Sequence, residues 1–248
     1  GAKTNNGFGI LKITEYQCND YNLKDRKELS YFLQDKHLKN VTIEPIPLTI
    51  NISELKMVGR IIDSFIIRDY SEYADSESLK SLDKPVITGS SIKGAIRSRA
   101  EKIVNTLNKS PEIIKNIFGD VSENEKTAQK GKIRFKEVLI SKYTEEVQNR
   151  IKINRFTSAT INTALFDSMP LFFDDNSEFI ELTIEVVNPK KEEIGLILLA
   201  LKDLYTGDIA LGGEKSVGRG RVDGQLIQLN LDNNKIEIKK GKPVEERE

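Results

Sequence analysis

Two stretches of the chain carry residue types suited to holding an anion. Leu211 to Gly224 reads LGGEKSVGRGRVDG, five glycines with one lysine and two arginines among them. Glycine lets backbone amides come close to a phosphate, and Lys215, Arg219 and Arg221 supply charge to neutralise it. The spacing is not that of a dinucleotide fingerprint, because one residue separates Gly218 from Gly220 and three separate Gly220 from Gly224. No lysine followed by serine or threonine closes a Walker A pattern either. The residue types leave two readings open, a phosphate-binding loop or a tight turn between a helix and an edge strand.

The second stretch, TGSSIKGAIRSRAE, places a glycine and two hydroxyls, Ser90 and Ser91, ahead of an apolar-periodic segment. Unpaired amides and the positive end of the dipole at a helix start attract an anion, and either serine can cap the first turn. Lys93, Arg97 and Arg99 fall on the first turns. Between Thr88 and Lys109 five basic residues face one acidic residue. A capped surface helix with solvated charges is the plainer reading of the same residues.

This local excess matters because the whole chain is balanced, with 38 basic and 38 acidic side chains over 248 residues. No global field draws in a polyanion, so a nucleic-acid site must be local. A single cysteine, Cys18, excludes an internal disulfide framework and reads as a small hydrophobe, which suits a reducing cytoplasm. Cysteine clusters of the kind that hold structural zinc are absent, and no apolar run is long enough to span a membrane. The one histidine, His37, lies beside lysines and reads as a surface residue.

The elements that would position these residues follow from periodicity. Residues 22–35, NLKDRKELSYFLQD, predict a short helix, and Ile92, Ala95, Ile96 and Ile103 predict a longer one after the strand PVI. Residues 68–84 are polar and acid-rich and read as an exposed loop. GKIRFKEVLIS, FIELTIEVV and GRVDGQLIQLNL read as strands, EEIGLILLALKDLYTG as a buried helix, and residues 150–175 as a projecting hairpin and loop. The order strand, helix, strand, hairpin, strand, helix, strand is that of an α+β, ferredoxin-like unit, with two helices on one face of an antiparallel sheet. The domain expectation is an appendage over 1–40, the main unit over 41–231 and a fraying polar tail over 232–248.

PVITGSSIKGAIRSRAE resembles the serine-rich motif, and LGGEKSVGRGRV the C-terminal glycine-rich loop, of the RAMP (repeat-associated mysterious protein) superfamily of CRISPR systems. Between them, INRFTSATINTALFDSMP is similar to the hairpin segment of backbone subunits in type III effector complexes. Asn154 stands where an aspartate is common, and Ser158 where a glycine is. The resemblance spans about Val41 to Leu231.

It implies an RRM-like core that holds a guide CRISPR RNA beside other effector subunits, with the hairpin acting as a thumb against the duplex formed with target RNA. Ser90, Ser91, Lys93 and Arg97 would meet guide phosphates, with Lys215, Arg219 and Arg221 on the same face and Arg155 and Phe156 at the thumb base. IIDSFIIRD resembles the neighbourhood of an aspartate that supports metal-dependent cleavage of target RNA, which places Asp63 at the matching position and implies magnesium or manganese. Asp69 and Asp75 are weaker candidates.

The start, GAKTNNGFGILKI, is similar to a second glycine-rich closing loop, which suggests a tandem-RAMP protein with residues 1–40 left from a preceding unit. Two other functions stay open: a stand-alone RAMP endoribonuclease processing precursor CRISPR RNA, and an RNA-binding ferredoxin-like domain with no CRISPR role.

Overall fold

The computed structural model describes residues 18–36, 51–120, 128–174, 177–231 and 234–240. They fall into two units, 18–36 and the residues from Asn51 onward. The glycine-rich start, His37 and residues 41–50 lie outside them.

In the first unit the expected short helix is α1 (Arg26–Leu33). Asp25 caps it, its carboxylate accepting the Lys27 N–H at 2.7 Å, as an N-terminal acid should. Cys18 is half-buried and unpaired.

The second unit is built on a five-stranded antiparallel sheet. Its strands are β1 (Ile52–Ile61), β2 (Ile133–Phe135), β5 (Ile180–Val187), β6 (Val222–Leu231) and β7 (Asn234–Lys239), in the order β7-β6-β1-β5-β2. Without β7 this is the strand order of a βαββαβ, ferredoxin-like unit, and the class is α+β. Helices α2 (Gly89–Thr106) and α4 (Lys191–Tyr205) are the two crossovers, and α3 (Glu112–Phe118) follows α2.

Alternation decides which face the helices cover. Leu55, Met57 and Ile61 of β1 point inward with Leu182, Ile184 and Val186 of β5, and all are buried. The helices meet them with Ile92, Ile96, Ala100 and Val104 of α2 and with Ile194, Ile197, Leu201 and Leu204 of α4. Burying each large aliphatic side chain contributes about 1.5–3 kcal/mol, so this two-layer core is the main source of the fold's stability. Arg99 is an exception to its expected role, because its Nε donates to Asp203 at 2.6 Å and ties α2 to α4.

Register shifts between β1 and β6 at Val58/Gly59, where Val58 faces Leu226 and Gly59 faces Gly224. A Cβ at Gly224 would overlap the Tyr205 ring, so glycine is what lets α4 close down here.

Three expectations are corrected. The first central strand is β1, and PVI belongs instead to the short strand Lys84–Ile87, which pairs with Val138–Leu139 in a separate small sheet. Residues 68–84 are folded, with Arg68–Asp69 paired to Glu77–Ser78 and with Ser71, Ser76 and Ser78 buried. Residues 234–239, expected to fray, pair with β6 as an edge strand.

Between β2 and β5 a hairpin of β3 (Gln148–Ile153) and β4 (Thr160–Ser168) forms a two-stranded sheet of its own among the described residues. Most of its residues are exposed.

Candidate nucleic-acid interface

The uncovered face of the sheet is the first place to look for RNA, and it is ill suited to stacking bases. Its outward positions form a charge ladder: Lys56 pairs with Glu181 at 3.1 Å, Lys136 with Glu185 at 2.8 Å, and Lys235 and Lys239 both pair with Glu237. The bond to Glu181 and the nearby Glu54 hold the Lys56 pKa above its ordinary value. No aromatic side chain occupies an outward position within these strands among the described residues. A face without aromatics and with paired charges has neither the stacking surface nor the net field of an RNA platform. At its end the Arg60 guanidinium lies 4.2 Å from the Phe179 ring centroid.

The cation-bearing motifs gather instead at one edge. Thr88, not either serine, caps α2, its hydroxyl accepting the Ser91 N–H at 3.3 Å. Ser90 is exposed and its Oγ lies 3.0 Å from the Thr88 hydroxyl. Ser91 Oγ accepts the Gly212 N–H at 3.3 Å, so the helix start and the glycine loop are joined directly. Lys93 and Arg97 follow one turn apart. Burial and the neighbouring Arg97 charge both lower the Lys93 pKa, and Arg97 is braced by Glu101 at 2.9 Å.

The glycine loop answers the question its composition raised. Gly213 N–H donates to Ile66 O at 2.7 Å, Gly220 N–H to Ser64 O at 2.8 Å, and Leu211 N–H to Gly220 O at 2.9 Å. These amides, with that of Gly212, are used to seat the loop on its neighbours and are not turned toward a ligand. Side chains would not fit: a Cβ at Gly212 would run into Ile66 O, and one at Gly220 into Leu211 O, both at φ above 70°. The tight-turn reading is therefore the one realised. Lys215 and Arg221 remain exposed on the loop.

Arg219 is placed differently from its expected role. Its side chain is 2 % exposed, its Nε donates to Glu214 at 2.8 Å, and its other nitrogen reaches Gln148. Glu214 also pairs with Arg150 at 3.0 Å and Arg68 at 3.0 Å. Burial opposes the Glu214 charge, but hydrogen bonds from Arg219 and Arg68 and the fields of Arg219 and Arg150 prevail and hold its pKa below the ordinary value. One buried carboxylate thus gathers three guanidiniums from the glycine loop, the hairpin base and strand Arg68–Asp69.

At the far end of the hairpin, Arg155 and Phe156 sit in the turn between β3 and β4, at the tip and not the base, with Phe156 almost fully exposed. Asn154 Oδ1 accepts the Phe156 N–H at 2.9 Å, and Ser158 takes φ 53°, the left-handed geometry that glycine accommodates most easily.

Asp63 occupies the tight turn after β1, exposed and at φ 60°. Ser64 N–H donates across it to Ile62 O at 2.8 Å, and its own carbonyl accepts from Phe173. Gly220 docks on the adjacent Ser64, so Asp63 stands next to the glycine loop. No three His, Cys, Asp or Glu side chains converge on a metal-sized site among the described residues. Asp63 is therefore not part of a preformed set of three such ligands, and one carboxylate does not by itself hold a divalent ion.

The family model of the RAMP superfamily matches residues 73–223. This chain belongs to the RAMP superfamily. The match covers about three fifths of the chain and takes in α2, the hairpin, α4 and the glycine loop. No curated protein matches the chain. At the level of the RAMP family the chain is a CRISPR-associated RNA-binding protein. No helix among the described residues is long and apolar enough to cross a membrane.

Sequence reading of this RAMP protein missed Arg68, Gln148, Arg150 and Glu214. Glu214 was the one available signal, as the only acid between Leu211 and Val222.

Proposed function

We propose that the chain is a guide-RNA-binding backbone subunit of a type III CRISPR effector complex. The observation that carries the reading is the junction at Ser91 and Gly212, which sets the cations of α2 beside those of the glycine loop, while Glu214 ties that loop to the hairpin. Lys93, Arg97, Lys215 and Arg221 then track the guide backbone along one edge, with Ser90 as an exposed hydroxyl donor and the α2 N-terminus favouring negative charge. The neutral, aromatic-free sheet face argues against an RRM-style stacking mode. The hairpin projects as the thumb, presenting Arg155 and Phe156 at its tip to the duplex of guide and target.

The experiment is titration of single-stranded RNA of unrelated sequences against the purified protein at several salt concentrations. Binding indifferent to sequence and steeply weakened by salt is the expected result. No binding, or binding that ignores salt, would remove the reading.

A second reading adds target-RNA cleavage. It is supported by the place of Asp63, exposed in the turn after β1 and beside the docked glycine loop. Magnesium or manganese would be completed there by RNA phosphates, since one carboxylate supplies too few ligands alone.

A further inference from the structure

A cleft of about 520 Å³ lies between the early turns of α2 and a short ladder that pairs Gly119–Asp120 with Gln129–Lys130. Lys93 and Arg97 line it from the helix and Lys130 lines it from the ladder. The ladder is seated on the end of α3. Lys132 N–H donates to Ile117 O at 2.9 Å, and a Cβ at Gly131 would overlap Phe118 O, so glycine is what lets the chain pass this close. Lys130 thus stands on backbone that is in place before any ligand arrives.

Charge in the cleft is not balanced. Its walls carry one acid, Asp120, and Lys115 takes that carboxylate at 2.9 Å. Arg97 spends its Nε on Glu101 at 2.9 Å, and its two terminal nitrogens make no hydrogen bond among the described residues. The Lys93 and Lys130 side chains have neither an ion pair nor a hydrogen bond among the described residues. Lys93 is half-buried one turn from Arg97, and both burial and that neighbouring charge disfavour its ammonium form. A half-buried lysine set against an arginine costs free energy in the unliganded protein, and an anion placed between the two offsets that cost.

We propose that Lys130 is a further RNA-contacting residue, and that this cleft seats a phosphate of the RNA backbone between Lys93, Arg97 and Lys130. Ammonium and guanidinium groups only donate, and the phosphate oxygens only accept. The one aromatic in the walls, Phe118, is buried and offers no stacking surface, so the cleft holds backbone and does not read bases. The inference rests on the guide-binding reading and extends it, because the row of cations that begins at the glycine loop and passes the α2 N-terminus then continues to the ladder. A protein carboxylate would satisfy the same cations singly, but it has no use for a row of them.

The probe is single-stranded RNA of one length with a 5′-hydroxyl end, titrated into the full chain at several salt concentrations. Lys130→Ala should flatten the log–log salt dependence by about 0.7, the loss of one neutralised phosphate, while Lys130→Arg restores the wild-type slope. Lys130 is exposed, so the thermal unfolding of both variants should match wild type. Lys102, an exposed lysine of α2 outside the cleft, is the control, and Lys102→Ala should leave the slope unchanged.

A wild-type slope in Lys130→Ala, in a chain that binds RNA, would overturn this inference and leave the guide-binding reading standing. A wild-type chain that binds no RNA would remove both. RNA with a 5′-phosphate binding more tightly than its 5′-hydroxyl form, with that gain lost in Lys130→Ala, would overturn the proposal by assigning the cleft to a chain end. Poly-L-glutamate binding more tightly than RNA of equal charge, with that preference lost in Lys130→Ala, would overturn it in favour of an acidic protein partner.

Discussion

Arg150, on the hairpin, and Glu214, in the glycine loop, approach to 3.0 Å, and this contact links two segments 64 residues apart. Glu214 is itself nearly inaccessible, so the pair is not a surface decoration. A hairpin outside the main sheet has few ways to fix its angle, and a buried carboxylate shared by three guanidiniums is one of them.

Replacing that carboxylate should therefore unsettle folding before it changes charge at the surface. Glu214→Gln leaves Arg219 buried without a counter-ion, and losing one partner of a buried pair costs about 3–5 kcal/mol. The pH dependence has a definite sign. Because the folded pKa of Glu214 is lowered, its contribution is present at neutral pH and is lost as pH falls from the ordinary carboxylate range through the lower folded value. Urea unfolding of both proteins at stepped pH should show the gap between them narrowing below about pH 4.3. A gap that stays constant with pH would mean Glu214 is not ionised in the folded state.

Glycine substitutions separate loop docking from loop flexibility. Gly220→Ala must push Leu211 O aside at a left-handed φ, and Gly212→Ala must push Ile66 O. Both should destabilise by more than Gly218→Ala does, because the overlap with backbone adds to the strain of a left-handed φ. Gly218→Ala meets no atom within 4 Å, so it should cost only the strain of its φ, about 1–2 kcal/mol. Thermal unfolding of the three variants checks the order, and Gly218→Ala proving the worst would contradict this seating of the loop.

On the proposed reading the cations divide into those that would meet RNA and those that hold the fold. Lys93→Ala and Arg97→Ala, and separately Lys215→Ala and Arg221→Ala, should each flatten the salt dependence of single-stranded RNA binding, by about 0.7 in log–log slope for every phosphate that is no longer neutralised. Arg219→Ala should lower stability instead, because its charge is already matched by Glu214. Measuring slope and unfolding on the same preparations distinguishes the two groups. A slope change for Arg219 with intact stability would return it to the RNA-binding set.

Much of this was legible from periodicity. The apolar stripes of α2 and α4 and the alternation of β5 and β6 declare themselves because each faces one continuous core. The first strand was hidden because Ser53 and Gly59 stand at two of its inward positions and thin the apolar alternation, while PVI, a short apolar run, fits a buried strand in any sheet. Residues 68–84 read as solvated because their order comes from two-residue ladders and buried serines, which composition does not reveal. The motif residues were found by type, but their division of labour was not. Whether an arginine meets phosphate or carboxylate depends on partners as distant in sequence as Arg68 and Glu214, 146 residues apart.

The last prediction concerns chemistry. Asp63 stands exposed at the turn after β1, where its left-handed φ is held by the bond across the turn and by Phe173, so the carboxylate has a fixed origin. A divalent ion brought in by RNA phosphates could use it as one anionic ligand, and positioning of that ion would stabilise charge on an in-line displacement at the scissile phosphate. Asp63→Asn keeps the shape and the capacity for a left-handed φ while removing the charge, so folding should be unaffected. Removing a negative charge should also leave RNA affinity equal or slightly higher. The measurement is cleavage of matched target RNA by the guide-loaded complex in magnesium or manganese. Wild type should cut at a fixed position and Asp63→Asn should not, with unchanged target retention. Cleavage by the variant at the wild-type rate would move the chemistry away from Asp63, and an inert wild-type complex would leave a subunit that only holds its guide.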